Sequence, residues 1–264
     1  MSLLSRDRIL ALVGAREIAL VRTSGMLKAA VIDAENFVFT ESAQGMAVAS
    51  RLESVLHDAR WANAPIHVVI DDSFARYAVV PWSGKNLAFA AKEAHARFVL
   101  TDLFGTDIES WRIALEDSPP GHDTLVSCMP AELIEALQVL VTNGLRIESI
   151  QPLLVAAFNG QRSNLRGDQW LATWASGYLT AAKISNGRIA SIDTRRAPRG
   201  PLAELEKVLA FGALLGTDAV LPPACRLIGV AGDLAEIGGV AIEYLPAGDE
   251  SRPTWIRTAE MLCA

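Results

Sequence analysis

Two adjacent aspartates, Asp71 and Asp72, are the residues of this sequence best suited to metal or acid–base chemistry. They directly follow an apolar run, Ile66–Ile70, whose composition predicts a buried β-strand. In α/β sheets, ligands bind at the carboxyl ends of the strands. The pair is therefore a candidate for a metal-positioning or general-base role. The alternative is structural, because aspartates after a strand often cap the turn that follows.

The remaining candidates for chemistry lack the spacing that chemistry requires. The histidines are His57, His67, His95 and His122. They show neither the HExxH nor the HxH spacing of metal sites. Residues Gly229–Gly239 contain no GxGxxG or P-loop pattern, no serine lies in a GxSxG motif, and Cys128 has no basic partner. The sequence thus predicts neither a metal site nor a covalent nucleophile.

Two tryptophans are candidates for contacts with another protein. Trp82 follows a strand-like run that stops at Pro81, and Trp111 begins the next strand-like run. Aromatic side chains dominate the binding energy of many protein interfaces. Burial in the protein core is the alternative for both.

Composition restricts the partners and the compartment. The 264 residues carry a net charge of −6 without a lysine- or arginine-rich block, which argues against a nucleic-acid ligand. The three cysteines lack CxxC spacing, so we expect a reducing, cytoplasmic location. Charges within Met1–Arg8 argue against a secretion signal, and charges interrupt the longest apolar window, Leu205–Leu221, so no membrane span is expected.

Two stretches of similar sequence predict an internal duplication. Ser24–Ile32 reads SGMLKAAVI and Ser176–Ile184 reads SGYLTAAKI, with six of nine positions identical. Strand-like runs flank both stretches in the same order, and a helix and a further strand follow. Chance similarity between alanine-containing stretches is the alternative. Duplication predicts a first half at residues 1–160 and a second, shorter half at 161–264, with residues 161–168 as a polar linker.

A small α/β module interrupts the first half at about residues 74–144. Its strand-like runs are Arg76–Val80, Trp111–Leu115, Thr124–Cys128 and Leu145–Ile150. With two helices, they have the order β-α-β-β-α-β of a ferredoxin-like module. The expected inner face of the first helix consists of Leu87, Ala90, Ala91, Ala94 and Phe98. The sequence does not decide whether the last strand belongs to the insert or to the parent sheet.

The stretch Val68–Asn159 carries a resemblance to a known superfamily. Its features, in order, are Phe74-Ala75-Arg76-Tyr77, Val80-Pro81-Trp82, Phe104-Gly105, Trp111, Ser149-Ile150-Gln151-Pro152 and Phe158-Asn159. Together with the two halves and the insert, they resemble the actin-like ATPase superfamily, a duplicated ribonuclease H-like α/β fold of two domains. Within it, the position of the insert is similar to that in the type IV pilus assembly protein PilM, the cell-division protein FtsA and the cytoplasmic domain of GspL.

The resemblance breaks down where nucleotide would bind. Active members of that superfamily hold ATP between two hairpin turns whose backbone N–H groups cradle the phosphates and whose acidic residues position Mg²⁺ through water. The resemblance maps these turns to Val21–Gly25, with Ser24 and Gly25, and to Thr173–Gly177, with Ser176 and Gly177; neither contains an aspartate or glutamate. We therefore expect degenerate phosphate turns without ATP or magnesium. Trp174 would also crowd a phosphate if its ring pointed inward.

By this resemblance, the chain is expected to be a catalytically degenerate scaffold, a pseudo-ATPase, in pilus or type II secretion-like assembly. It would bind a short cytoplasmic segment of an inner-membrane partner and would be cytoplasmic, or peripheral at the inner membrane through that partner. The resemblance also implies a homodimer. The alternative is an ATPase or small-molecule kinase of the same fold with atypical phosphate loops, in which Asp71 or Asp72 positions Mg-ATP or acts as the base.

Overall fold

Two β-sheets built on the same strand order form the framework of the chain. The computed structural model describes residues 7–25, 30–215, 224–230, 232, 235–245 and 252–263. The strands are β1 (Arg8–Val13), β2 (Glu17–Ser24), β3 (Ala30–Val38), β4 (Ile66–Ile70), β5 (Arg76–Val80), β6 (Trp111–Leu115), β7 (Thr124–Pro130), β8 (Ile147–Pro152), β9 (Gln169–Ala175), β10 (Tyr178–Ser185), β11 (Arg188–Arg196), β12 (Ala224–Ile228), β13 (Ala235–Ile237) and β14 (Val240–Leu245). The helices are α1 (Met46–Leu56), α2 (Phe89–Phe104), α3 (Ala131–Thr142), α4 (Leu153–Gln161), α5 (Leu202–Leu215) and α6 (Thr254–Cys263).

The two large sheets repeat one topology. The first sheet has the order β3-β2-β1-β4-β8, and the second has the order β11-β10-β9-β12-β14-β13. In each sheet, three consecutive strands pair antiparallel. The next strand pairs in parallel with the first of these three, as β4 does with β1 and β12 with β9. One further strand, β8 or β14, then pairs in parallel with that strand. The structure therefore contains the β-β-β-α-β arrangement twice, as the sequence analysis predicts.

The nine-residue match on which the duplication was inferred is out of register. Ser24 is the last residue of β2 and Gly25 follows it toward β3, whereas Ser176 and Gly177 connect β9 to β10. Strand order pairs β1 with β9 and β2 with β10, so the first-half equivalent of the Ser176-Gly177 turn is the β1–β2 turn, Gly14–Arg16. The assignment of Ser24 and Gly25 to a phosphate turn is corrected accordingly. Residues 26–29 of the matched stretch lie outside the described residues.

Residues Ile9–Val13 of β1 are all apolar and buried because both faces of the first sheet are covered. Ile9 and Ala11 belong to the same buried cluster as Leu52 of α1. Leu10, on the opposite face, belongs to a second cluster with Ile256 of α6. The last described helix thus packs on the first sheet, although the sequence analysis placed it in the second half. The domain boundary at residues 160 and 161 stays a prediction.

The insert has three strands rather than four. Its sheet has the order β5-β7-β6, with antiparallel pairing throughout. The strand predicted as its fourth member, β8, pairs in parallel with β4 of the first sheet. This settles the question that the sequence left open and corrects the ferredoxin-like assignment. The module is β-α-β-β-α because β8 already serves as the edge of the parent sheet.

The predicted inner face of α2 is wrong. Ala90, Ala91, Ala94 and Phe98 are exposed, and the buried residues of this helix are Ala96 and Leu100. The latter two pack in the core of the insert with residues of β5 and β7. Apolar residues recur on both sides of α2, so helical periodicity alone did not identify the inner side.

The helices of the described residues are shorter than a membrane-spanning helix. The longest, α2, has 16 residues, and a membrane-spanning helix needs about 20 apolar ones. No helix in the described ranges is long and apolar enough to cross a bilayer.

The close approach of β9 and β12 generates a testable prediction at Gly229. This residue has a φ of 93°, and a Cβ there would overlap the carbonyl oxygen of Trp174. We expect Gly229→Ala to lower the free energy of unfolding by several kcal/mol, since rigid backbone atoms have to move. Urea denaturation measures this change.

Gly238 provides the matched control. Its φ of 58° is also in the left-handed region, but a Cβ there would meet no atom within 4 Å. Gly238→Ala should therefore cost only the backbone strain, about 1–2 kcal/mol. Equal losses in the two variants would contradict the steric explanation.

Candidate functional site

The aspartate pair lies at the carboxyl end of β4, in a short 3-10 turn, and both side chains are buried. Asp71 is 0% and Asp72 is 2% exposed. Asp71 Oδ1 accepts a hydrogen bond from the backbone N–H of Ser73 at 2.7 Å. Asp71 thus caps the turn that follows β4, which is the structural alternative predicted for aspartates after a strand. The same side chain also makes longer-range contacts.

The second oxygen of Asp71 lies between the two equivalent hairpin turns. Asp71 Oδ2 accepts a hydrogen bond from the hydroxyl of Ser176, in the β9–β10 turn. The backbone N–H of Ala15, in the β1–β2 turn, is close enough to this carboxylate to lower its pKa slightly, against the larger rise from burial. Ser176 itself adopts a left-handed conformation, with a φ of 48°. One internal carboxylate therefore joins the tip of a hairpin in each sheet.

Asp72 makes a parallel set of contacts. Its Oδ1 accepts hydrogen bonds from the hydroxyl of Tyr77 and from the backbone N–H of Leu154 at 3.1 Å, and its Oδ2 accepts one from the hydroxyl of Thr173. Leu154 lies in the first turn of α4, where the helix dipole favours a negative charge. Thr173, on β9, belongs to the second sheet. We call Asp71, Asp72 and these donors the carboxylate clasp.

Burial dominates the electrostatics of the clasp. It raises the pKa of Asp71 above 3.8 and raises the pKa of Asp72 to about 6, because a charged carboxylate is poorly solvated inside a protein. Hydrogen bonds from Thr173 and Tyr77 oppose this rise for Asp72, and the adjacent charge of Asp71 adds to it. Burial, and then the neighbouring carboxylate, place the pKa of Tyr77 well above 10, so its hydroxyl stays protonated at neutral pH.

An indole ring from α6 lies beside the clasp. A Cβ at Gly14 would overlap the ring of Trp255 and would lie 2.6 Å from Asp71 Oδ2. The β1–β2 turn is therefore covered by Trp255 on the side where Asp71 lies. Trp174, which the sequence analysis considered as a crowding residue, instead donates its Nε1–H to the carbonyl of Ala197 at 3.0 Å, within the second half.

A second contact fastens the insert to the second sheet. The guanidinium of Arg188, on β11, donates to Glu116 Oε2 at 3.1 Å and to the Ser118 hydroxyl at 2.7 Å. Both acceptors belong to the loop between β6 and β7. Arg188 also donates to the backbone carbonyl of Asp123 at 3.2 Å. The insert and the clasp thus join the two sheets at separate places.

The other residues singled out from sequence lie elsewhere. Ser24 donates to Asp7, whose Oδ2 also pairs with Arg22 Nη2 at 2.6 Å. Trp111 packs against the core of the insert, with the Arg76 guanidinium 5.6 Å from the centre of its ring. Trp82 is only partly buried and lines a surface pocket on the insert. Their roles in binding stay predictions.

Metal ligands do not converge in the described part of the chain. No group of three histidine, cysteine, aspartate or glutamate side chains lies close enough there to hold an ion. Of the candidate histidines, His67 has its Nδ1 2.9 Å from the Ser149 hydroxyl. It lines a cavity of about 240 Å³ beside the first sheet, together with Asn159 of α4 and Cys263 of α6.

Comparison with known proteins identifies the fold. Neither the family models nor the curated proteins match the sequence. Among solved structures, the chain is similar to the cytoplasmic domain of EpsL, an inner-membrane component of the type II secretion system of Vibrio cholerae. The identity is 12%, the TM-score is 0.61, and the match covers 97% of this chain and 92% of that one.

Two further structures support the same conclusion. The PilM–PilN type IV pilus biogenesis complex matches with 14% identity and a TM-score of 0.62, over 84% of this chain and 80% of that one. A Bacteroides thetaiotaomicron protein with an actin-like ATPase fold matches with 8% identity and a TM-score of 0.60, over 86% and 84%. The chain has the actin-like ATPase fold. This confirms the predicted fold class, apart from the number of strands in the insert.

The raised pKa of Asp72 predicts a characteristic pH dependence of stability. A carboxyl group whose pKa is higher in the folded state stabilises that state below its unfolded pKa, and this stabilisation is lost as the pH rises through the folded value. For Asp72 the window runs from 3.8 to about 6. We expect Asp72→Asn to gain stability relative to the unmodified chain across this window, by about 1.4 kcal/mol per pKa unit. Urea denaturation at successive pH values measures the difference.

Two threonines that are both fully buried provide the control for this experiment. Thr173→Val removes a donor to Asp72, so the pH dependence should become steeper and extend to higher pH. Thr180→Val removes only a contact with the Thr194 hydroxyl at 3.3 Å and should leave the pH dependence unchanged. Parallel pH profiles for Asp72→Asn and the unmodified chain would rule out this assignment.

Proposed function

We propose that this chain is a nucleotide-independent actin-like scaffold in pilus or type II secretion-like assembly. In this role it binds a cytoplasmic segment of an inner-membrane partner. One observation carries the proposal: the Asp71 carboxylate lies against both equivalent hairpin turns, accepting a hydrogen bond from Ser176 in one and packing beside Gly14 in the other. The superfamily that the sequence resembles uses such turns to cradle phosphate. Here the donors are already occupied by an anion that belongs to the protein.

The chemistry of the surrounding residues supports the loss of nucleotide binding. Tight binding of a triphosphate requires Mg²⁺ held by carboxylates that water can reach. Asp71 and Asp72 are almost completely excluded from solvent and already accept several hydrogen bonds each. The ring of Trp255 lies where the β1–β2 turn would face a ligand. A phosphate that entered would have to displace both an internal carboxylate and an indole.

The way the two sheets are joined suits a protein that presents a surface. Buried hydrogen bonds to a charged group stabilise more than neutral ones, by about 1.5–3 kcal/mol each. The clasp and the Arg188 contacts therefore oppose the relative movement of the halves on which a nucleotide switch depends. A partner then binds a pre-organised surface, so less conformational entropy is lost on binding.

The fold neighbours support the proposed setting of this scaffold. Two of them are an inner-membrane secretion component and a pilus biogenesis complex. We accordingly place the chain in the cytoplasm, at the inner membrane through its partner. Self-association as a homodimer is a further prediction from the sequence resemblance.

Nucleotide addition separates this proposal from an ATPase or kinase of the same fold. Mg-ATP at millimolar concentration should leave the thermal unfolding midpoint of the chain unchanged. A ligand at 100 times its dissociation constant stabilises the native state by about 2.7 kcal/mol, which gives a clear shift. An upward shift that disappears without Mg²⁺ would favour the enzyme instead.

Binding of the partner is tested with solubilised inner membranes of the host. The immobilised full chain should retain an inner-membrane protein, and a synthetic peptide of its cytoplasmic segment should compete with that retention. The bare matrix is the control. If the peptide in excess leaves retention unchanged, the proposed mode of binding is wrong.

A further inference from the structure

Helix α2 of the insert has a second apolar face that no described residue covers. Ala90, Ala91, Ala94 and Phe98 are exposed along one side of the helix, and Phe98 is 72% exposed. We call these four residues the outer α2 face. They lie at i, i+1, i+4 and i+8, a spacing that aligns them on one stripe. Since the buried contacts of α2 are made by Ala96 and Leu100, this stripe is not needed for the core of the insert.

Apolar residues on both faces are typical of a helix that is covered on both sides. Surface helices of soluble proteins carry polar residues on the side opposite the core. Three alanines followed by a phenylalanine leave a smooth surface with one protruding ring. Small residues let a second helix approach closely, and the ring can enter the groove between its side chains. The geometry therefore suits a helix better than an extended strand.

A pocket beside α2 is lined by Trp82, Leu87 and Leu115, and by His95 of the helix itself. His95 follows Ala91 of the outer α2 face by four residues, so the two side chains are neighbours on the helix surface. The cavity measures about 30 Å³. Pockets for small molecules measure about 300–1,000 Å³, so this one admits a side-chain tip of a larger partner rather than a separate ligand.

The charge around the pocket identifies the chemistry of that partner. Lys85 and Lys92 line it, and no acidic side chain does. Neither lysine takes part in an ion pair among the described residues. The whole chain is acidic, with a net charge of −6, so this basic rim differs from the average of the surface. Complementary charges at a rim steer association and select partners.

We propose that the outer α2 face and the Trp82 pocket bind an amphipathic helix of the partner, with carboxylates beside its apolar stripe. This rests on the proposed function, since it names the surface and the chemistry through which the scaffold holds its partner. An apolar side chain of that helix enters the pocket, and its acidic residues pair with Lys85 and Lys92.

The test uses a phage-displayed library of random peptides, selected on the immobilised full chain. Selected peptides should combine Asp or Glu with Leu, Phe or Trp at helical spacing. Their affinity, measured by fluorescence anisotropy, should fall at least about tenfold on Phe98→Ser and on Lys92→Glu. Both positions lie on the surface, and circular dichroism checks that the variants fold. The matched control is Phe211→Ser, at an exposed phenylalanine of α5, which should leave affinity unchanged.

Three outcomes would overturn this inference. They are selected peptides rich in lysine and arginine, peptides that bind Phe98→Ser as well as the unmodified chain, and a dimer of the unmodified chain that Phe98→Ser converts to a monomer. In the last case the face binds a second copy of the chain. The membrane experiment is independent, so retention of a membrane protein by Phe98→Ser would reject only this surface. Loss of retention by every form of the chain would reject the scaffold itself.

Discussion

Two carboxylates removed from water set the main constraint on this structure. A buried charge is tolerated only when hydrogen-bond donors replace the water it has lost. Asp71 and Asp72 obtain those donors from both halves of the chain: Tyr77 and Leu154 lie in the first half, and Thr173 and Ser176 in the second. Neither half can satisfy the pair alone. The position of one sheet relative to the other is therefore coupled to the solvation of two side chains.

Under the proposed function, this constraint is the reason that an ATPase-like fold serves without ATP. In the superfamily that the chain resembles, a nucleotide between two hairpin turns links the halves. Here an internal anion makes the corresponding link, and it cannot be hydrolysed or exchanged. The protein thereby keeps the geometry that a bound ligand would otherwise impose. The proposed scaffold accordingly does not change that geometry with the state of a nucleotide.

The acidic pair of this site could be predicted from the sequence, but the residues that donate hydrogen bonds to it could not. The acidic pair at the end of β4 could be found because an apolar run followed by aspartates is a local pattern. Its donors could not, because Tyr77, Thr173 and Ser176 approach it only when two sheets meet. Ser176 was singled out only as part of a degenerate phosphate turn, and Thr173 was noticeable only as a polar residue in an apolar strand. Nothing in the sequence indicated that Trp255 would lie beside the aspartates. The fold class was predictable, but the register of the repeat was not, since the register depends on strand order and not on identical residues in two short stretches. The inner face of α2 was misassigned because two apolar stripes of this helix satisfy the same periodicity.

The packing of α6 has a consequence for how the protein is made. Ile256 covers the same face of the first sheet as Leu10, so residues from the two ends of the described chain form one buried cluster. During translation, β1 leaves the ribosome long before its cover exists. The part of that face that α6 covers stays open to water, and to chaperones, until almost all of the described chain has been synthesised. Contacts between residues so distant in sequence also slow folding, because a long loop must close before they form.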